Sequence, residues 1–420
     1  MLALHGGPKT ITHPFVKYNS IGIEEQNAVL RVMQSGNLSS FIGANDPDFF
    51  GGPEIRAFED EWSKFFGVKH SITVNSWTSG LETIIGSYGF EPFGEVITSP
   101  WTMCATATSI LHWNLIPVFA DINLHDFNIS ATDVEAKITD QTVAIIAIDI
   151  FGANAVNEDL MKVAQHYNLP LITDSAQAPG VALDNGYIGT KAEIGGFSLN
   201  YHKHIHTGEG GVIVTNNDDL ALRCKLIRNH AEAAIHAFDH LSMSNMVGHN
   251  FRMGEIEASI GREQLKKLPD IIKNRQNVGK QIIHGLANLD GLICPSIDVV
   301  DYHAFYVLGL VIDKSKISAC RNLIVDALNA EGVEGLMKGY QNIHKLPIFQ
   351  QKQAFGSKHF PWSHASNNVP YEHGICPNAE ELHENTFIGL ELCLFEYSET
   401  ECNLVVNAFQ KVWQSLDKLC

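Results

Sequence analysis

Seven short apolar runs rich in β-branched residues alternate with helical patterns through the first half of the chain, and this alternation limits the fold more than any other feature. The runs are SITVN (71–75), EVITSP (95–100), IPVFAD (116–121), VAIIAID (143–149), PLITD (170–174), GGFSL (195–199) and GVIVTN (211–216). Strands spaced by helix-length segments predict an α/β fold: a mostly parallel seven-stranded sheet flanked by helices. Ahead of them, PEIRAFEDEWSKFFG (53–67) places Ile55, Phe58, Trp62 and Phe65 on one helical face, with Pro53 to open the helix and Gly67 to close it. Polar residues gather just past the apolar runs, namely Asn75, Ser76, Asp174, Gln177, Ser198 and Lys203. Open α/β sheets bind ligands along that edge.

Beyond about residue 230 the pattern changes. Residues 235–254 read as loop, then Ile256, Ile260, Leu265 and Leu268 mark a helix face that Pro269 should end or kink. AFYVLGLVI (304–312) has the pattern of a strand and ECNLVVNAFQKVWQSL (401–416) that of a helix. A chain of 420 residues exceeds what one core usually organises, so the expected division is a large domain over 1–265 and a smaller α+β domain over 266–420, with the N-terminal segment free to pack on the smaller one.

The formal charge of −18 argues against nucleic acid or an anionic membrane as partner, since both would be repelled. It does not exclude a phosphorylated small molecule, which a few local donors and a helix N-terminus can hold. Eight cysteines lie scattered without CxxC or Cys/His spacing, so neither a zinc site nor a disulfide framework is suggested. No run approaches a membrane span, and MLALHGGPKT lacks the apolar stretch of a signal peptide; the expectation is a cytoplasmic protein with reduced thiols.

Three local features carry chemistry. Lys203, in GGFSLNYHKHIHTGEGG (195–211), follows a strand end and precedes a Gly-rich turn; burial or nearby positive charge, for which His202 and His204 are the flanking candidates, could make its amine nucleophilic, although a surface lysine in a His-rich loop fits the same letters. Asp174 closes a buried apolar strand, where a carboxylate needs a cation or several donors; it could face a pyridinium N–H or simply cap the helix after it. In VNSWTSGLETII (74–85) a strand enters a helix through Ser76, Trp77 and Thr78, whose hydroxyls and free N–H groups suit a phosphate and equally suit ordinary capping. Ser198 could add a phosphate ligand, or be a strand-end hydroxyl only.

Taken together, DSAQAPG (174–180), GGFSLNYHKHIHTGEGG (195–211) and GHNFRMGEIEASIGREQLKKL (248–268) resemble the DegT/StrS family of sugar aminotransferases, which share the fold type I architecture of pyridoxal-phosphate (PLP) enzymes. The likeness extends from LALHGGP (2–8) through TATSILHWNLIPVFADI (106–122) to YQNIHKLPIF (340–349). The resemblance implies pyridoxal 5'-phosphate as cofactor, held as a Schiff base by Lys203, with Asp174 on the pyridine nitrogen and Gln177 beside the phenolic oxygen. It also implies that Thr78, Ser198 and the Trp77 backbone hold the phosphate, and that Asn250 reaches the phosphate of the partner subunit in a homodimer with shared sites. The family usually has Gly where this chain has Trp77. The aromatic residue that commonly covers the ring falls at Met103, leaving Trp101 or Met103 for that place. Tyr340 and His344 are candidate substrate contacts. The implied reaction moves an amino group from glutamate or glutamine to a keto-sugar, nucleotide-linked in most of the family, or to a keto-cyclitol. Two alternatives are a sugar dehydratase of the same family, in which histidine replaces the lysine, and a non-catalytic regulatory protein on the same fold. Lys203 itself stands at the lysine position, which favours transamination over dehydration.

Overall fold

The computed structural model describes residues 1–419, which leaves Cys420 outside the description. The seven apolar runs form strands β1 (His70–Val74), β2 (Glu95–Thr98), β3 (Ile116–Phe119), β4 (Thr142–Ile148), β5 (Leu171–Asp174), β8 (Ile194–Ser198) and β9 (Gly211–Thr215), with a two-stranded hairpin, β6 (Ala182–Leu183) and β7 (Gly186–Tyr187), set between β5 and β8. The seven lie in the order β1-β9-β8-β5-β4-β2-β3. Pairing is parallel from β8 across to β3, whereas β9 runs antiparallel to both of its neighbours. The segment 199–210 between β8 and β9 forms no crossover helix; the chain turns back and pairs Ser198 with Gly211. Both faces of the sheet are covered, and its strands are accordingly almost wholly buried.

The helix expected at 53–67 spans Pro53–Phe66 and ends on Gly67 at φ 66°, a left-handed cap that glycine adopts without strain. Ile55, Phe58 and Trp62 are fully buried, and Trp62 and Phe66 pack on Phe197 of β8.

Strands β10 (Leu292–Ile293), β11 (Leu308–Ile312), β12 (Leu336–Lys338) and β13 (Phe387–Leu390) make a second sheet in the order β10-β11-β13-β12, all antiparallel. Of the run 304–312 only the second half is strand. Leu2, Ile11 and Phe15 share a core with this sheet and with the closing helix Glu399–Trp413. Glu331 ties that N-terminal segment down, accepting from the Ala3 and Thr10 amides at 2.7 and 3.0 Å and pairing with Lys411 at 2.7 Å.

Pro269 neither ends nor interrupts its helix, which runs unbroken from Glu255 to Leu286. The proline lies on the exposed face, while buried contacts before and after it hold the helix straight through. Ala258, Leu265, Leu268 and Ile272 belong to the core containing Phe58 and Phe197; Val278, Ile282, Ile283 and Leu286 belong to the core of the second sheet. One rigid element thus serves both cores.

Candidate active site

At the C-terminal edge of the large sheet a cavity of about 190 Å³ is lined by residues from four strand ends. Ser76, Trp77 and Thr78 come from the turn after β1; Asp174 and Gln177 from the end of β5; Ser198 from the end of β8; and Lys203 from the loop that joins β8 to β9. Met103, Thr102 and Thr106 close the side beyond β2. The sequence segments are far apart, and the parallel pairing of β4, β5 and β8 brings them to one edge.

Each side chain has a local reason for its place. Ser76 caps the helix Trp77–Ser87, its Oγ accepting from the Ser79 amide at 3.1 Å, so the free N–H groups of the first turn point towards the cavity end of the helix. Ser198 Oγ accepts from the Asn200 amide at 3.3 Å. The loop carrying Lys203 is pinned at its base by Leu199 N to Gly210 O at 2.9 Å and by Thr207 N to Leu199 O at 3.0 Å. Phe151, in the left-handed region at φ 58°, turns its N–H to Gln177 Oε1 at 2.7 Å, while Gln177 Nε2 donates to the Tyr340 hydroxyl at 3.4 Å. A bulky aromatic in that region stores backbone strain, which the buried amide contact offsets.

Lys203 is 8% exposed, and its Nζ sits 4.3 Å from the centre of the Tyr306 ring. Burial drives its pKa down to about 8, with Asp174, Cys393 and Glu391 pulling weakly the other way. The neighbouring histidines supply no positive charge, contrary to the sequence expectation: burial holds His202 down at about 4 and His204 at about 3. His204 is fully buried, its Nε2 2.8 Å from Ala304 O. The amine is therefore made nucleophilic by dryness.

Asp174, 5% exposed, is held by three donors: Trp77 Nε1 at 2.7 Å and the Ala176 amide at 3.2 Å on Oδ1, and Thr106 Oγ1 at 2.8 Å on Oδ2. Behind it Asp149 is fully buried and pushed up to about 7, chiefly by burial and in smaller part by the Asp174 charge. Asp149 thus takes up a proton near neutral pH, and repels Asp174 less than two full charges would.

Four expected residues lie elsewhere. Trp101 does not cover the cavity: it is fully buried, donates from Nε1 to Asn342 Oδ1 at 2.7 Å, and packs with Phe127, Phe151 and Phe387 where the two sheets meet. Met103, 60% exposed, does line it. His344 is fully buried away from the cavity, Nε2 3.0 Å from Glu380. Tyr340 touches the site only through Gln177. Asn250 is exposed and does not line this chain's own cavity; its Oδ1 accepts from Arg252 Nε at 2.7 Å. Thr106, Tyr306 and the indole of Trp77 were not anticipated as site groups; the Trp77 position at a helix start next to a strand end was the one available signal.

These residues fit PLP. A dry amine, a carboxylate with an acceptor position to spare and a hydroxyl-lined helix N-terminus occupy one cavity, which is the donor set that an aldehyde, a pyridinium and a phosphate would need. The buried Asn200 Oδ1 in the same wall has no protein partner.

The DegT/DnrJ/EryC1/StrS aminotransferase family model matches residues 20–383, and the chain belongs to that family. Its fold is PLP fold type I, and it is a PLP-dependent aminotransferase of the aminosugar kind. Among its relatives, the UDP-4-amino-4,6-dideoxy-N-acetyl-beta-L-altrosamine transaminase of Helicobacter pylori is 31% identical over 78% of this chain and 84% of its own length. The GDP-perosamine synthase of Vibrio cholerae is 29% identical over 77% of this chain and 87% of its own. The solved structure of DesI with its TDP-sugar product superposes with a TM-score of 0.80 at 25% identity, covering 100% of this chain and 97% of that one.

Proposed function

We propose that this enzyme transfers an amino group from glutamate or glutamine to a nucleotide-linked keto-sugar, with Lys203 as the catalytic residue. The observation that carries this reading is the juxtaposition of the dry Lys203 amine with the Asp174 carboxylate in one cavity. The names of the relatives above, which act on GDP-, UDP- and TDP-linked sugars, support the nucleotide-linked acceptor over a keto-cyclitol.

Bound PLP supplies the electron sink for the carbanion that forms at the amino-bearing carbon. Lys203 Nζ would hold the cofactor between turnovers and, as a buried amine with a depressed pKa, would serve as the group that takes and returns the proton beside it. Asp174 keeps the ring nitrogen protonated, and Gln177 hydrogen-bonds the phenolic oxygen. Ser76, Thr78, Ser198 and the amides at the helix start bind the phosphate. Met103, which lines the cavity, would cover the ring.

The assembly we propose is a homodimer in the cytoplasm, in which the partner subunit's Asn250 completes the phosphate site. Met103 at the cavity and Tyr201 two residues before Lys203 stay exposed at 60% and 69%, and Met243 and Val247, in the stretch before Asn250, at 67% and 69%. A second copy would bury them. No helix among the described residues is long and apolar enough to cross a membrane.

Borohydride reduction followed by peptide mapping should find a pyridoxyl group on Lys203, and Lys203→Ala should abolish turnover. A panel of nucleotide keto-sugars and keto-inositols with each donor should yield 2-oxoglutarate or its glutamine-derived counterpart together with an aminated product. Loss of a sugar hydroxyl without amination would mark a dehydratase instead.

A further inference from the structure

The Trp77 indole enters the wall of the site through a slot cut by glycine. A Cβ on Gly80 would stand 2.6 Å from Trp77 Cε3, and one on Gly196 would stand 2.6 Å from Cη2 and Cζ3. Neither glycine has a left-handed backbone, so space and not conformation calls for them. Gly196 also lies against Val212 O and would be needed without the indole; at Gly80 nothing but the indole comes nearer than Val74 Cγ2 at 3.4 Å. The residue at 80 is therefore matched to the residue at 77. The slot delivers the indole Nε1 to Asp174 Oδ1 at 2.7 Å, with both side chains almost completely buried.

We propose that Trp77 is a positioning residue for the cofactor's pyridine nitrogen, acting through Asp174. The inference rests on the PLP reading above. An ionised carboxylate has about four acceptor positions. Trp77 and the Ala176 amide take those of Oδ1 and Thr106 takes one on Oδ2, which leaves one position, on Oδ2, for the ring N–H. The indole N–H fixes the carboxylate plane through one charge-assisted hydrogen bond. Held by these three donors, the carboxylate keeps its remaining position on Oδ2 for the ring N–H, the contact that would hold the proton on the ring. Packing alone would ask only for an apolar ring in the slot.

Trp77→Phe removes the donor and keeps an aromatic ring in place. The holoenzyme's visible absorption should then titrate at higher pH, by about 0.5 unit or more, because less positive charge on the ring nitrogen makes the Lys203-linked nitrogen hold its proton more tightly. Cofactor affinity, measured by dialysis and fluorescence, should fall on the order of tenfold. Should Trp77→Phe fail to fold, Trp77→Leu keeps a large apolar side chain in the slot without the donor and should show the same two changes. Gly80→Ala alone should lower the melting temperature of the parent and be tolerated in the Trp77→Gly background. A titration midpoint within about 0.1 unit of the parent, with unchanged cofactor affinity, would overturn the proposal in whichever of the two donor-free variants folds. A parent protein with no pyridoxyl group on Lys203 sinks the reading of the site itself, whereas a parent with that group and an unaffected variant sinks this inference alone.

Discussion

A neutral amine is the nucleophile that captures an aldehyde, and at a pKa of about 8 roughly a quarter of Lys203 is neutral at pH 7.5, against about a thousandth of an ordinary lysine. Since the neutral form grows as pH rises, the rate at which cofactor-free protein takes up PLP should climb with pH and level off above about 8, as followed by stopped-flow absorbance. A rate still rising steeply at pH 10 would contradict the burial that depresses this lysine. Asp174 is tested through Thr106, whose Oγ1 donates to Oδ2. Thr106→Val keeps the shape and removes the donor, and should weaken PLP binding by about tenfold in an equilibrium titration, as expected for one charge-assisted hydrogen bond. Lys203, Asp174, Ser76, Thr78, Gln177 and Ser198 were legible in the sequence because each follows a strand end closely, and strand ends of a parallel sheet share an edge. Thr106 and Tyr306 were not, since their roles come from contacts between segments far apart in the chain. Trp101 and Met103 sit two apart, which on a straight strand would put both on one side. The chain leaves β2 at Thr98, however, and burial claimed the larger apolar ring.

The same division holds for the elements. All seven strands of the large sheet were legible as apolar runs, and the helix Pro53–Phe66 as a spaced face between Pro53 and Gly67. The direction of β9 was not, because it follows from how the helix-free loop holding Lys203 folds back and not from any residue in the strand. Nor was the passage of the helix Glu255–Leu286 through Pro269, which packing on two cores secures against a local penalty. The N-terminal segment is anchored by core packing and, among its polar contacts, by Glu331. Glu331 is fully buried; burial raises its pKa, but the Ala3 amide, Lys411 and Thr10 outweigh that, and the net direction is down. A carboxylate depressed in the folded state adds stability above its unfolded pKa, and this is lost as pH falls through the folded value. Glu331→Gln should therefore lower stability at neutral pH by about 3 kcal/mol in urea unfolding, and the gap to the parent should close only below the ordinary carboxylate range. A gap that persists unchanged into acid would mean that the ion pair is not what anchors the segment.

For the whole molecule, the question is which subunit supplies Asn250. It is exposed, it lines no part of its own cavity, and it follows a stretch with Met243 and Val247 uncovered. If a site takes Lys203 from one subunit and Asn250 from the other, two defective chains can repair each other. Asn250→Ala should bind PLP about tenfold more weakly and have low activity, the loss of one polar contact to a charged group. Lys203→Ala should have none. In a hybrid dimer of the two, one site contains both substitutions, and the other combines Lys203 from the Asn250→Ala chain with Asn250 from the Lys203→Ala chain. An equal mixture, dissociated and allowed to reassociate at random, gives half hybrids with one intact site each, so about a quarter of the parental activity should return at low PLP concentration. If Asn250 serves its own chain, each hybrid site is defective and the mixture shows only the average of the two variants. Only a shared site lifts the mixture above that average, so the assay separates a shared site from a self-contained one even if both variants lose some stability.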